Sequence, residues 1–238
     1  MHCEVCGGDN PQGFRFCGGC AAPLIRTSGV APRERRRHVT ILFTDLSGFT
    51  ELSTRIDAED LHILVQAYFD RVEAIVTALG GRIERYVGDA IMAVFGAPTA
   101  HDDDALRAVQ AGLDIKAAMP ALSARFGRDL ACVAGIASGD VVVTEPRPGY
   151  GADLAVVGPF VHLGARIKSL GQPGDVLVSD EVHREVAQHV AAESLGAQAL
   201  KGNADRVTLW RIHRLVEQGW TRTPLAGRGA ELQRRRRA

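Results

Sequence analysis

Two aspartates and four cysteines are the residues of this chain whose types and spacing suit chemistry. Asp45 closes an apolar run, His38-Val39-Thr40-Ile41-Leu42-Phe43-Thr44-Asp45, and is followed by Leu46-Ser47-Gly48-Phe49-Thr50. Asp89 sits in Val87-Gly88-Asp89-Ala90, between runs that read as strands over residues 82–87 and 91–95. A carboxylate at a strand end beside a Gly-bearing loop suits a divalent metal held against phosphate. Two of them can hold a pair of Mg²⁺ or Mn²⁺ ions about 3.5–4 Å apart for in-line phosphoryl chemistry. Taken singly, each aspartate has a plainer reading, Asp45 as a turn opener or helix cap and Asp89 as part of a hairpin turn. The backbone N–H groups of Leu46, Ser47, Gly48 and Phe49 run into a short helix, an arrangement that attracts phosphate without a basic side chain. Gly48 permits close backbone approach, and Phe49 is expected to pack rather than touch a ligand.

The cysteines form two knuckles, Cys3-x-x-Cys6 and Cys17-x-x-Cys20, with Gly7, Gly8, Gly18 and Gly19 supplying tight turns. Four thiolates close a tetrahedral structural Zn²⁺ site, which a segment too short for a core of its own needs. The alternative, a pair of disulfides, belongs to a secreted protein, and nothing else in the chain suggests secretion. Cys132, in Leu130-Ala131-Cys132-Val133, reads as a buried strand residue.

The elements that must position these residues are alternating strands and helices. Leu61, Leu64, Val65, Tyr68, Val72, Ile75, Val76 and Leu79 recur at helical spacing, with Asp57 as N-cap and Gly80-Gly81 as the stop. A second helix starts from Asp102-Asp103-Asp104 and is expected to kink or end at Pro120. Strands are expected over 130–137, 140–144 and 154–157, a helix over 159–170, a strand over 175–179, a helix over 181–190 and a strand over 206–212. The early order is that of a ferredoxin-like βαββαβ core in an α+β fold. The implied layout is a zinc ribbon over 1–24, a polar linker over 25–37, the α+β core over 38–215 and a second linker over 216–238.

Composition sets the outer bounds. The 238 residues are 46% hydrophobic, enough for one full core and a small accessory module. Lys plus Arg equals Asp plus Glu at 28 each, so net charge calls for no polyanionic partner. The basic stretches at 33–37 and 234–237 lack interleaved aromatics, which argues against a nucleic-acid surface. No apolar run approaches the roughly 20 residues of a membrane span, and the polar N-terminus is no signal peptide. The expectation is a soluble, cytoplasmic protein.

Longer motifs resemble the class III nucleotide cyclases, the adenylate and guanylate cyclase homology domain. They are Phe43-Thr44-Asp45-Leu46-Ser47-Gly48-Phe49-Thr50, Tyr86-Val87-Gly88-Asp89-Ala90-Ile91-Met92-Ala93-Val94-Phe95-Gly96, Ala100-His101-Asp102-Asp103-Asp104-Ala105, Gly135-Ile136-Ala137-Ser138-Gly139-Asp140 and Val157-Gly158-Pro159-Phe160-Val161-His162-Leu163-Gly164-Ala165-Arg166. They follow the family's order over roughly residues 38–215. The resemblance implies two metal ions on Asp45 and Asp89, and attack of a ribose 3′-oxygen on the α-phosphorus with pyrophosphate leaving. It also implies a head-to-tail homodimer in which Arg166 stabilises phosphate charge and His162, in place of the family's Asn, orients the ribose. At the base-reading positions Arg85 stands where adenylate cyclases usually carry Lys, and Ala155 where they carry Asp or Thr. Guanylate cyclases use Glu and Cys there, so the chain fits neither code, with ATP the expected substrate and GTP the other choice. Two functions follow: a working cyclase, or a regulatory domain that binds nucleotide and metal, dimerises and signals without significant turnover. Residues 1–24 resemble small bacterial zinc ribbons, whose partner is unknown. Residues 223–232 resemble the lead-in to the ATPase module that often follows such cyclase domains.

Overall fold

The computed structural model describes residues 2–3, 5–11, 14, 16–22, 34–97, 99–144, 155–200 and 205–216. Most of the two expected linkers lies outside these residues, as does Leu154.

The first strand, β1 (Glu34–Leu46), is exposed at Arg36 and His38 and enters the core from Val39 onward, where both faces of its pleat are mostly apolar. Side chains alternate along a strand, so Leu42 and Leu46 join the main core, while Val39, Ile41 and Phe43 join a second cluster on the opposite face. Asp45 shares the odd-numbered register of Phe43. The basic residues 35–37, expected in the linker, are part of this strand and pair with residues 141–143.

After the five-residue helix α1 (Phe49–Ser53), helix α2 (Ala58–Ala78) lays Leu64, Tyr68, Val72, Ile75 and Val76 into the main core. Its N-cap is Asp57, whose carboxylate accepts from the Glu59 N–H at 2.9 Å. Gly80, with φ of 78°, follows the helix end in the left-handed region, as expected of a glycine stop. Strands β2 (Arg82–Val87) and β3 (Ala90–Phe95) form the hairpin whose turn carries Asp89.

Helix α3 (Asp104–Phe126) passes through Pro120 without ending. Ala118, Met119 and Leu122 on either side of the proline are buried in the main core, so packing holds the turn that the missing N–H weakens. The two strands expected over 130–144 are one, β4 (Cys132–Thr144). It pairs along its whole length with β1, which carries the chain straight through Ser138-Gly139. Short β5 (Ala155–Val157) pairs with its far end, followed by α4 (Pro159–Lys168), β6 (Val176–Ser179) and α5 (Asp180–Val186).

One strand was not foreseen. β7 (Val190–Gln198) follows directly on α5, where the sequence pattern extends the helix to residue 190. Its Ala-Ala-Glu-Ser-Leu-Gly-Ala composition has little strand character; pairing with β8 (Val207–Leu215) makes it a strand.

The sheet runs β2-β3-β1-β4-β6-β8-β7, antiparallel except for β4 beside β6. Its first four strands have the ferredoxin-like order expected from the element sequence. Helices α2 and α3 cover one face, and α4 packs on β4 and β1 from the other.

Candidate active site

Register brings the two aspartates together. Thr44 pairs with Ile91, so the next non-adjacent step along the antiparallel ladder sets Leu46 against Asp89. The Leu46 N–H donates to Asp89 Oδ2 at 3.2 Å. Burial, and then the nearby Asp45 charge, raise the Asp89 carboxyl above the ordinary carboxylate range, against backbone N–H groups and Lys168, which lower it. Two carboxylates on one cleft are the usual donor set for a hard cation.

Asp45 and Asp89 line one cleft of about 390 Å³ together with residues 46–50, Val133, Lys168, Ser169, Gly171 and Pro173. Gly48, with φ of 72°, takes the left-handed conformation that turns the chain into α1. The loop's four amides are not equally available. Leu46 N–H is engaged by Asp89, and Ser47 N–H donates to the Ala131 carbonyl at 2.8 Å. Gly48 and Phe49 remain at the uncapped start of α1. Phe49 packs against the core, as expected, while also lining the cleft. The Ser47 hydroxyl is buried with no hydrogen-bond partner among the described residues. Such a group costs about 1–3 kcal/mol until something bonds it. A ligand oxygen in the cleft would do so, and the donor set as a whole fits a metal-bound polyphosphate.

Lys168 escaped the sequence reading. Its ammonium bonds Asp45 Oδ2 from the last residue of α4, 123 positions along the chain. The approach depends on glycine: a Cβ at Gly135 of β4 would stand 2.3 Å from the Lys168 backbone nitrogen and 2.6 Å from the Gly164 carbonyl oxygen. With no side chain there, α4 lies directly on the strand. The only sequence signal was a basic residue beside the buried Ile167.

The other expected site residues stand apart from this cleft. Gly164 and Ile167 point α4 toward the sheet, so exposed His162 and half-buried Arg166, four residues apart, occupy the outer part of the helix. Arg85, on β2, forks onto Glu84, Nε to Oε2 at 2.6 Å and Nη2 to Oε1 at 2.8 Å. A bulge between Ile83 and Arg85 lets two consecutive side chains meet in this way. The Glu84 side chain is only 5% exposed, so Arg85 is the counter-charge of a buried carboxylate. Ala155 opens β5 opposite Thr144, at the other end of β4 from Val133.

Behind the cleft, the hydroxyls of Thr44 and fully buried Tyr68 lie 2.9 Å apart. Burial raises the tyrosine well above its ordinary range and pushes Cys132 up to about 11, so both stay protonated as structural groups.

The four N-terminal cysteines converge as expected, their sulfurs all within 4.8 Å of one another. The Cys3–Cys20 and Cys6–Cys17 sulfur pairs are each 3.6 Å apart. A tetrahedral site with Zn–S of ~2.3 Å has an edge of ~3.8 Å. The Gly19 N–H and the Asn10 amide both reach Cys17 Sγ at 3.4 Å. The Gly19 N–H does most to pull Cys17 down to about 6. At Cys20 the Ala22 N–H also lowers the thiol, but the crowding sulfurs and burial outweigh it and push Cys20 up to about 12. Four sulfurs so close cannot all ionise without a cation among them, which fits a thiolate-bound metal.

A mixed sheet with this order and two carboxylates on a cleft at the β1 end agree with a nucleotide cyclase type of domain. Residues 31–214 match the family described as the adenylate and guanylate cyclase catalytic domain, and the chain belongs to that family. It is similar to the solved guanylyl cyclase Cya2, at 32% identity and TM-score 0.73, over 78% of this chain and 96% of that one. The adenylyl cyclase CyaB from P. aeruginosa is similar at 28% identity and TM-score 0.72, over 76% and 96%. Adenylate cyclase 1 of Rhizobium meliloti is 26% identical over 191 residues, 74% of this chain and 28% of the relative. The chain spans 20–35% of the length of the curated relatives it matches. Among the described residues, no helix is long and apolar enough to cross a membrane.

Proposed function

We propose that the chain is a nucleotide cyclase that converts a nucleoside triphosphate, ATP in the first place, into a 3′,5′-cyclic nucleotide and pyrophosphate. The reading rests on one observation above the others: Asp45 and Asp89 line the same cleft of about 390 Å³, in a domain of the cyclase family. The two carboxylates are the residues that would hold Mg²⁺ or Mn²⁺. Bound there, the ions would lower the pKa of the ribose 3′-hydroxyl and offset the triphosphate charge. The Gly48 and Phe49 amides and the Ser47 hydroxyl orient phosphate oxygens. The 3′-oxygen forms a bond to the α-phosphorus, the bridge to the β-phosphate breaks, and the hydroxyl proton leaves to solvent.

Arg166 and His162 are not among the residues that line their own chain's cleft, which supports their action on a second protomer's cleft in a head-to-tail homodimer. Arg166 then follows charge onto the leaving pyrophosphate, and His162 holds the ribose. The family pattern assigns base reading to Arg85 and Ala155, and Arg85 reaches a purine either by releasing Glu84 or through donors beyond the two that Glu84 accepts. Because Arg85 offers only donors, either purine is accepted.

The test is kcat/KM for ATP and for GTP with Mn²⁺ fixed, in the protein and in Arg85→Lys/Ala155→Asp. The original makes cyclic product from both nucleotides. The double variant shifts the ratio toward ATP by about tenfold to a hundredfold, the worth of one bidentate distinction. An original preference for ATP above about a hundredfold defeats the base-reading argument. Nucleotide binding without cyclic product replaces the catalytic reading with the regulatory one.

The cysteine quartet holds one structural zinc in our reading, and the reducing cytoplasm keeps its thiols available. Freshly purified, reduced protein is expected to contain one zinc per chain by elemental analysis. Chelation leaves the thermal transition of the core in place. Zinc-free protein, or a whole-chain melt on chelation, would contradict this.

A further inference from the structure

Lys168 is the one cation among the described residues lining the cleft, and it is bonded to a residue that the cyclase reading assigns to metal. Its side chain is 16% exposed and that of Asp45 21%, so the pair is largely removed from water. There, charges interact more strongly than on an open surface. The ammonium cannot drift away with its helix, because Gly135 and Gly164 seat α4 against β4 and Phe43. Only the side chain can turn, and the neighbouring cleft surface is the 46–50 loop, with the orphaned Ser47 hydroxyl and the Gly48 and Phe49 amides. A free divalent ion approaching Asp45 therefore meets a positive charge already in place. A nucleotide arriving with its metal brings several phosphate charges that can take the ammonium from Asp45.

We propose that Lys168 makes metal binding at Asp45 contingent on polyphosphate, holding the carboxylate in the free protein and transferring to phosphate oxygens when the metal–nucleotide complex enters. The inference rests on the cyclase reading. Lys168 is then both a competitor of the free cation and a contact of the substrate, and each ligand strengthens the other's binding through it.

The experiment measures two affinities in the full chain and in Lys168→Met and Lys168→Arg. One is Mn²⁺ alone, by electron paramagnetic resonance. The other is 3′-deoxy-ATP at saturating Mn²⁺, which binds without turning over. In Lys168→Met, Mn²⁺ alone binds about fivefold tighter, the scale of a partly exposed ion pair removed. The same variant binds the nucleotide about tenfold weaker, the scale of one charge-assisted hydrogen bond lost. Lys168→Arg stays near the original in both. A merely structural lysine would weaken both affinities together. Mn²⁺ binding that is unchanged or weaker in Lys168→Met overturns the proposal, as does unchanged nucleotide binding. Asp45→Asn separates the two readings. If it leaves Mn²⁺ binding intact in an otherwise original chain, the metal assignment itself fails; if it abolishes that binding while Lys168→Met changes nothing, only the role of Lys168 fails.

Discussion

Asp45→Ala and Asp89→Ala each lower metal-dependent cyclisation by about a thousandfold, since several kcal/mol of charge stabilisation leave with the cation and each 1.36 kcal/mol is a factor of ten. Both variants stay folded, because neither carboxylate belongs to the apolar core. Asp89→Asn carries a further expectation with a definite sign. Burial and Asp45 raise the Asp89 carboxyl in the folded chain, so the folded state holds that proton more tightly than the unfolded one. The contribution to stability is present below the unfolded value and is lost as pH rises through the folded value. At neutral pH the ionised group is a cost, and Asp89→Asn, whose carbonyl still accepts from the Leu46 N–H, melts higher than the original. The gap closes as pH falls into the carboxylate range. Cyclic-product assays and thermal melts at neutral and acidic pH check both halves. Undiminished activity in either alanine variant removes that residue from the mechanism, and a lower melting temperature for Asp89→Asn at neutral pH contradicts the electrostatic account.

Gly135→Ala is the second large effect. The new Cβ would meet backbone atoms, the Lys168 nitrogen at 2.3 Å, the Gly164 oxygen at 2.6 Å and the Lys168 Cα at 2.7 Å, so no side-chain rotation relieves it. Helix α4 must lift from β4, at a cost of about 1–3 kcal/mol for overpacking. The same movement carries Lys168 from Asp45 and displaces Arg166 and His162. Activity under conditions where the variant remains folded therefore drops by up to about a hundredfold, the scale a ~1 Å misplacement of reacting groups can reach. Urea midpoints, with activity measured on the same preparations, decide the matter. A midpoint equal to the original would mean that the close seating of α4 on β4 contributes nothing.

Local physics made much of the fold legible. The α2 stripe, its Asp57 cap and its glycine stop depend on neighbours three or four residues away, and each occurs where the pattern places it. Apolar runs broken by turn residues located β1, β2 and β3, and from their order came the βαββαβ core. Asp45 and Asp89 were readable as a pair because the longer motifs around both resemble those of the cyclase family; strand-end placement beside glycine alone left the plainer turn reading open. The convergence of Cys3, Cys6, Cys17 and Cys20 was readable from spacing alone.

What stayed hidden depends on partners distant in sequence. β7 has a helix-neutral, glycine-bearing sequence and becomes a strand only because β8 offers a ladder. Pro120 looks like a helix end until the core on both sides of it is assembled. The gap expected between residues 137 and 140 closes because β1 supplies a partner for every residue of β4. The chemistry divides in the same way. Sequence alone singled out Asp45 and Asp89, through the family motifs around them, and the four thiols, through their spacing. Only tertiary structure decided that Lys168 neutralises Asp45 and that Glu84 claims Arg85. Those pairings follow from strand register, a bulge and a helix seated on glycine, none of which is written in the spacing of the residues concerned.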